Sequence, residues 1–125
     1  MTRLPITEAQ FQKRVTDLCN LLGLKVFHSG DSRRDTGAGF PDLVIVGKPG
    51  RGVLFAELKT DKGRLTREQT DWLQALQDSR GDEWSWVKGE LLLNAGPGVV
   101  AGVWRPSTWD DLRARIELLA KEVKQ

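Results

Sequence analysis

The most informative part of this chain is Gly39-Phe40-Pro41-Asp42-Leu43-Val44-Ile45-Val46, which is followed by Glu57-Leu58-Lys59, with fourteen residues between Asp42 and Glu57. The apolar run after Asp42 is typical of a buried strand. Glu57 and Lys59 lie in a second apolar run, and side chains alternate along a strand, so we expect both to point to the same side. Charged groups are costly in apolar strands unless they are paired, bound to metal or at a sheet edge. This cost indicates a functional site.

The two runs are predicted to form an antiparallel hairpin. They correspond to strands at residues 41–46 and 53–60, separated by the turn residues Lys48-Pro49-Gly50-Arg51-Gly52. Two further strands are predicted at residues 24–28 and 99–104, and residues 29–39 read as a polar loop.

Three helices are predicted from their capping signals. Thr7 followed by Gln10 is a capping-box pattern, and Gly23 is expected to end that helix. Thr66 followed by Gln69 begins a second helix that should end near residues 80–81. Ser107 or Thr108 caps the last helix. Apolar residues recur at helical spacing in all three: Phe11, Val15, Leu18, Leu22; Trp72, Leu73, Leu76; Trp109, Leu112, Ile116, Leu119.

Residues 82–94 are ambiguous. Trp84, Val87 and Leu91 fit a helix, whereas Trp84-Ser85-Trp86 alternates like a strand. We favour a helix or an irregular insertion here. The whole chain, residues 1–125, is then one α/β domain, with a mixed central sheet and a hairpin flanked by helices.

Composition excludes several classes of protein. The 125 residues suit one domain, and a net charge of +2 does not by itself indicate nucleic-acid binding. The single cysteine, Cys19, excludes an internal disulfide or a cysteine-based zinc cluster and is expected to be a buried thiol. There is no Walker A sequence and no Gly-x-Ser-x-Gly elbow. No apolar run is long enough for a membrane span or signal peptide, so we expect an intracellular protein without a membrane partner.

The charged residues of the hairpin suit phosphodiester hydrolysis. Such a reaction needs a nucleophilic water, charge relief on the phosphate and help for the leaving oxygen, and carboxylate-held Mg²⁺ provides all three. Asp42 and Glu57 would be the carboxylate ligands, and the backbone carbonyl of Leu58 a further one. Lys59 would contact the phosphate or orient the water. A purely structural explanation, in which the carboxylates pair with Lys59 or Arg64, is the alternative.

Three linked motifs carry a resemblance to a nuclease family: Gly39-Phe40-Pro41-Asp42-Leu43-Val44-Ile45-Val46, Phe55-Ala56-Glu57-Leu58-Lys59-Thr60 and Gly63-Arg64-Leu65-Thr66-Arg67-Glu68-Gln69. They resemble the virus-type replication-repair nuclease (VRR-NUC) domain of the PD-(D/E)XK superfamily. The later segment Val103-Trp104-Arg105-Pro106-Ser107-Thr108-Trp109 is similar to small stand-alone phage and bacterial members. The resemblance covers most of residues 7–112, and it marks residues 82–94 as an insertion.

The resemblance implies a restriction-endonuclease-like fold and a structure-specific DNA endonuclease that depends on Mg²⁺ or Mn²⁺. It implies a homodimer similar to Holliday-junction resolvases, acting on branched DNA in the cytoplasm of a bacterial or phage-infected cell. By motif match, Asp42, Glu57 and Lys59 carry the chemistry. Glu8 matches an acidic residue on the first helix of the family, and Gln69 matches a glutamine on the helix after the second catalytic strand.

Glu8 and Gln69 also have structural explanations. An acidic residue in the first turn favours the helix dipole, and Gln69 completes a capping box with Thr66. Two functional alternatives also stay open. The first is a DNA-binding module that retains a nuclease fold without cutting, and the second is a nuclease subunit that needs a partner.

Basic residues near the motifs are candidate DNA contacts. Lys62 and Arg64 follow the second strand closely, and Arg33 and Arg34 lie in the polar loop with His28 at its start. The alternative for the arginines is a loop whose own acidic residues neutralise them, and for His28 a solvated side chain.

Overall fold

The computed structural model describes residues 5–30, 37–80, 84–87, 90–93 and 98–122. Its elements follow the predicted order of helices and strands, with an added strand pair between the second helix and the last strand of the sheet. They are α1 (Glu8–Leu21), β1 (Lys25–His28), β2 (Leu43–Val46), β3 (Gly52–Leu58), α2 (Arg67–Arg80), β4 (Trp84–Val87), β5 (Glu90–Leu93), β6 (Gly98–Trp104), a 3₁₀ turn (Pro106–Thr108) and α3 (Trp109–Leu119).

Both ends of α1 are capped by the residues that the sequence indicated. Thr7 Oγ1 accepts from the backbone N–H of Gln10 at 3.1 Å, and Gln10 Oε1 accepts from the Thr7 N–H at 2.9 Å. Gly23 adopts φ +73°, and the next N–H, that of Leu24, donates to the carbonyl of Cys19 at 2.9 Å. This glycine-centred ending satisfies helix carbonyls that would otherwise lack donors.

The central sheet is mixed and has the strand order β1-β2-β3-β6. The β1–β2 and β2–β3 pairs are antiparallel, which confirms the predicted hairpin, and β3 pairs with β6 in parallel. The parallel pair needs a crossover connection, and α2 with the β4–β5 segment supplies it.

The two faces of the sheet pack against apolar cores of different size. The larger core lies between the sheet, α1 and α3, and it includes Phe11, Val15, Cys19, Leu43, Ile45, Leu54, Ala56, Leu58, Leu112 and Ile116. On the other face, Leu73 of α2 packs on Ala101 and Val103 of β6. Cys19 is fully buried as predicted, and burial raises the pKa of its thiol to about 11. Among the described helices, none has both the length and the apolar character of a membrane span.

Residues 82–94 contain two paired strands, so our preference for a helix or an irregular segment over a strand was wrong. β4 and β5 pair antiparallel, with Trp84 opposite Leu93 and Val87 opposite Glu90. The alternation of Trp84-Ser85-Trp86 was the correct signal, because aromatic and β-branched residues suit a pleated surface. The side chains of Trp84 and Trp86 lie outside the described residues, and the status of this segment as an insertion stays a prediction.

The end of β6 is tied to α3 through Trp104. Its indole N–H donates to Asp111 Oδ2 at 2.8 Å, and Arg115 Nε donates to the same oxygen at 2.8 Å. Partial burial of Asp111 opposes its charged form, but these two hydrogen bonds and the Arg115 charge outweigh it and lower the pKa of the carboxyl. Thr108 begins α3 as expected, although its hydroxyl accepts from the Arg105 N–H at 2.9 Å instead of capping the helix.

The segment before Asp42 is held between the sheet and α2. Phe40 makes edge-to-face contacts with Phe55, at a centroid distance of 5.9 Å, and with Trp72, at 5.0 Å. Gly39 has φ +84°, and a methyl group at its Cα would lie 2.6 Å from the backbone oxygen of Glu68 at the start of α2. Only glycine combines this conformation with this close approach.

Replacing Gly39 with alanine should therefore destabilise the fold. We expect Gly39→Ala to lower the free energy of unfolding by about 2–4 kcal/mol, because the left-handed conformation and the overlap with α2 each add a cost. Denaturant titration followed by circular dichroism measures this change.

Gly30→Ala is the matched control, because Gly30 also has a positive φ, +55°, and, apart from its chain neighbours, no atom of the described residues lies within 4 Å of the added methyl. It should cost only about 1 kcal/mol. Equal losses for the two variants would show that the approach to α2 is not tight.

Candidate active site

Three carboxylates from three different parts of the chain meet at one end of the sheet. An oxygen of Glu8, one of Asp42 and one of Glu57 all lie within 4.8 Å of one another. Asp42 and Glu57 are 5% and 1% exposed, whereas Glu8 is exposed. The structure therefore brings together the three acidic residues that the sequence singled out.

Hairpin register explains why Asp42 and Glu57 are neighbours. The β2–β3 ladder pairs Leu43 with Ala56, and one further step places Asp42 opposite Glu57. Directly opposed residues project to the same face with Cβ atoms about 4.5–5.5 Å apart, and like charges in such positions destabilise the pair. The hairpin thus sets two buried negative charges side by side.

Hydrogen bonds fix the Asp42 position from both sides. Its Oδ2 accepts from the backbone N–H of Leu58 at 2.9 Å, and its own carbonyl accepts from the N–H of buried Ser29 at 2.9 Å. The first bond joins the start of β2 to the end of β3. The Leu58 N–H therefore orients the Asp42 carboxylate, while a ligand role for the Leu58 carbonyl stays a prediction.

Gln69 makes the capping contact and also contacts Glu57 of the carboxylate cluster, while its role in catalysis stays a prediction. Its Oε1 accepts from the Thr66 N–H at 2.8 Å, which completes the capping box of α2. Its Nε2 donates to Glu57 Oε1 at 3.3 Å. The two bonds agree on the orientation of the amide, because the oxygen is committed to Thr66 and only the nitrogen remains for a carboxylate. The start of α2 is thereby tied to the carboxylate cluster.

Lys59 lies directly after β3 and begins the loop that leads to α2. Its backbone N–H donates to the Trp104 carbonyl at 3.0 Å, so the pairing with β6 continues past the assigned strand. The side chain is half-buried. The predicted strand thus ends two residues earlier than expected, at Leu58.

Arg105 organises this loop, and the sequence analysis gave it no role. Its Nη1 donates to the carbonyls of Thr60 and Gly63, both at 2.6 Å. Asp61 Oδ1 accepts from the Ser107 N–H at 2.9 Å, which adds a second attachment. The signal was available in Trp104-Arg105-Pro106-Ser107, but the partners of Arg105 lie more than 40 residues away and cannot be read from local sequence.

The structure describes the positions of some of the residues that we predicted to contact DNA. Lys62 and Arg64 are exposed on the loop of residues 59–66, called the clamped loop below because Arg105 and Ser107 hold it, and His28 is exposed at the end of β1, opposite Leu43. Arg33 and Arg34 lie outside the described residues.

The carboxylate cluster fits a divalent metal ion by the chemistry of its donors. All three groups offer oxygen, which Mg²⁺ and Mn²⁺ prefer, and Mg²⁺ commonly uses one or two carboxylates and keeps several waters. Two of the groups are buried and directly opposed, so a cation would remove the repulsion between them. The exposed position of Glu8 leaves one side of the cluster open to solvent.

The VRR-NUC domain model matches residues 10–84, which is more than half of the chain. The matched region contains Asp42, Glu57, Lys59 and Gln69, while Glu8 and Arg105 lie outside it. Comparison with curated proteins and with solved structures returns no match. The match and the mixed sheet with its carboxylate-bearing hairpin agree, and the chain belongs to the VRR-NUC family, nucleases with a PD-(D/E)XK-like fold.

Proposed function

We propose that this protein is a divalent-metal-dependent endonuclease that cuts branched DNA, with four-way junctions as its principal substrate. The observation that carries the proposal is the meeting of Glu8, Asp42 and Glu57 within 4.8 Å at the open end of the hairpin. Two carboxylates buried side by side repel each other, and a divalent cation held by them would relieve that repulsion, which supports a metal site here.

The proposal assigns a role to each carboxylate of the cluster and to the neighbouring Lys59 and Gln69. Asp42 and Glu57 hold Mg²⁺ or Mn²⁺, and Glu8 completes the set from the solvent side. When bound, such an ion lowers the pKa of its water and acts as a Lewis acid on the phosphate. Lys59 lies two residues beyond Glu57 and provides a positive charge for the phosphate or the attacking water. Gln69 keeps Glu57 in position through the 3.3 Å hydrogen bond.

The proposal includes a homodimer. Each protomer contains one carboxylate cluster in its described residues, whereas resolving a junction requires two nicks in symmetry-related strands. A two-fold dimer places two equivalent sites on one DNA. The resemblance to stand-alone family members supports this arrangement.

Substitution of Asp42 or Lys59 should remove cleavage and leave the fold intact. We expect Asp42→Asn and Lys59→Ala to lower the cleavage rate of a labelled four-way junction by about 10²–10⁴-fold, because each removes a charge that acts on the reacting groups. The same loss should follow when EDTA replaces Mg²⁺ or Mn²⁺. Lys25→Ala is the matched control, since Lys25 is exposed on β1 and lies outside the cluster.

The substrate panel should also contain a flap, a nicked duplex, a plain duplex and a single strand. Paired, symmetric nicks in the junction are expected from a dimer. Metal-dependent cutting of another structure would remove the resolvase assignment and keep the nuclease. Tight junction binding without cutting would favour a binding module or a missing subunit, and unchanged rates in both variants would exclude this mechanism.

Metal binding should be visible without DNA. Mn²⁺ at 100 times its dissociation constant should stabilise the wild-type protein by about 2.7 kcal/mol, because it binds only the folded cluster. Thermal unfolding monitored by circular dichroism should show the rise in midpoint, and Glu57→Gln should abolish most of it. Asp71→Asn, an exposed position on α2 outside the cluster, should keep it. An equal rise in both variants would place the ion elsewhere.

Arg105 should act as a positioning residue for the loop that carries Lys59 and Lys62. We expect Arg105→Ala to lower kcat by about 10–100-fold with a smaller change in KM, because a displacement of about 1 Å is enough for such a loss. Arg105→Lys should recover part of it, since an ammonium can still donate to the carbonyls of Thr60 and Gly63. Arg113→Ala, on an exposed pair with Glu117 on α3, is the control. A pure stability loss with unchanged kcat would contradict the positioning role.

A further inference from the structure

An open cavity of about 570 Å³ adjoins the carboxylate cluster. Its walls come from the start of α1 and the segment before it, from the clamped loop and from the 3₁₀ turn, and they include Pro5, Ile6, Glu8, Thr60, Asp61, Lys62 and Pro106. Glu8 belongs both to the cavity and to the cluster. A molecule that is bound at the carboxylates can therefore extend directly into this cavity.

The charge of the cavity disfavours a phosphate as its occupant. Glu8 and Asp61 contribute two carboxylates, and Lys62 contributes one ammonium group. A phosphate placed there would meet a net negative surrounding. The cavity therefore favours an uncharged part of the DNA over a phosphate, whose place in this proposal is at the carboxylate-bound cation.

The remaining walls suit a flat, largely apolar group. Pro5, Ile6 and Pro106 present carbon surfaces, and Thr60 with Lys62 adds polar groups at the edge. A few polar groups around apolar walls, in a volume of about 300–1,000 Å³, are typical of small-ligand sites. A nucleobase has this character, because its faces are apolar and its edges carry hydrogen-bonding groups.

The walls are fixed before any ligand arrives. Arg105 holds the Thr60 carbonyl at 2.6 Å, and the Ser107 N–H holds Asp61 at 2.9 Å. The capping box of Thr7 and Gln10 fixes the start of α1 beside them. Binding at such a site costs little ordering of the protein.

We propose that this cavity receives the base of a nucleotide next to the bond being cut, after that base has left the helical stack. The inference rests on the proposed function of the adjoining cluster and adds a substrate class to it. Extruding a paired base costs a few kcal/mol, and the cost is least for a base that is already unpaired. DNA with an unpaired nucleotide at the cleavage position is thus the preferred substrate over a fully paired arm.

The first arm of the test compares matched junctions that differ in one nucleotide at the mapped cleavage position: paired, unpaired, and unpaired but abasic. The unpaired base should be cut at least about tenfold faster than the paired one. Removing the base while keeping the sugar and phosphate should abolish this advantage. Equal rates for the three substrates would overturn the inference and leave the nuclease in place.

The protein arm uses Ile6→Ala, which trims an apolar wall without touching the carboxylates. Loss of a base contact should slow cutting of the unpaired substrate and leave the abasic substrate unchanged, whereas a folding defect would slow both. Equal slowing of both substrates, with an unchanged thermal midpoint, would count against a base contact at Ile6.

A binding arm separates this inference from the proposed chemistry. A duplex with one bulged 2-aminopurine should gain fluorescence on binding to wild-type protein in EDTA, where cleavage does not occur, and gain less with Ile6→Ala. If no DNA is cut under any condition, the proposed function fails while this readout still decides whether the cavity holds a base. No fluorescence change on a duplex that demonstrably binds would overturn the inference.

Discussion

Two buried carboxylates in directly opposed positions are the constraint on which this structure depends. Asp42 and Glu57 are 5% and 1% exposed, and the register of β2 and β3 places them directly opposite each other. A slip of one residue would turn every side chain of β2 to the other face. Leu43 and Ile45 oppose such a slip, because both are fully buried in the larger core. The packing of the hairpin and the spacing of the carboxylates are therefore one property of the sequence.

The ends of the surrounding elements meet at this unfavourable pair. α1 contributes Glu8 from its first turn, and α2 contributes Gln69. The Leu58 N–H bonds Asp42 across the hairpin. Each of these groups lies at or near the end of an element whose middle is packed in a core, which positions the site although its members come from distant parts of the chain. Groups held this way keep the geometry that catalysis needs.

Sequence reasoning was accurate where the controlling interaction is local. The hairpin, the capping boxes of Thr7 and Thr66 and the ending at Gly23 each depend on neighbouring residues, and the structure has all of them. It failed at residues 84–93, where a short segment fitted two periodicities and pairing between the strands decided the outcome. It also missed the roles of Arg105 and Ser29, because their partners lie far along the chain. The hydrogen bond from Gln69 to Glu57 needed the fold as well, since the local sequence indicated only the cap.

The charges around the site show why a cation and DNA would bind in a coupled way. The cluster and Asp61 are acidic, whereas Lys59, Lys62 and Arg64 lie on one loop beside them. Without a cation, the carboxylates repel a phosphate at the position where the proposed reaction takes place. A divalent ion reverses the local sign, so each ligand should raise the affinity for the other by the same factor. Arg105 contributes to this charge arrangement as well as to stability. By donating to the carbonyls of Thr60 and Gly63, it fixes the course of the loop that carries these basic groups.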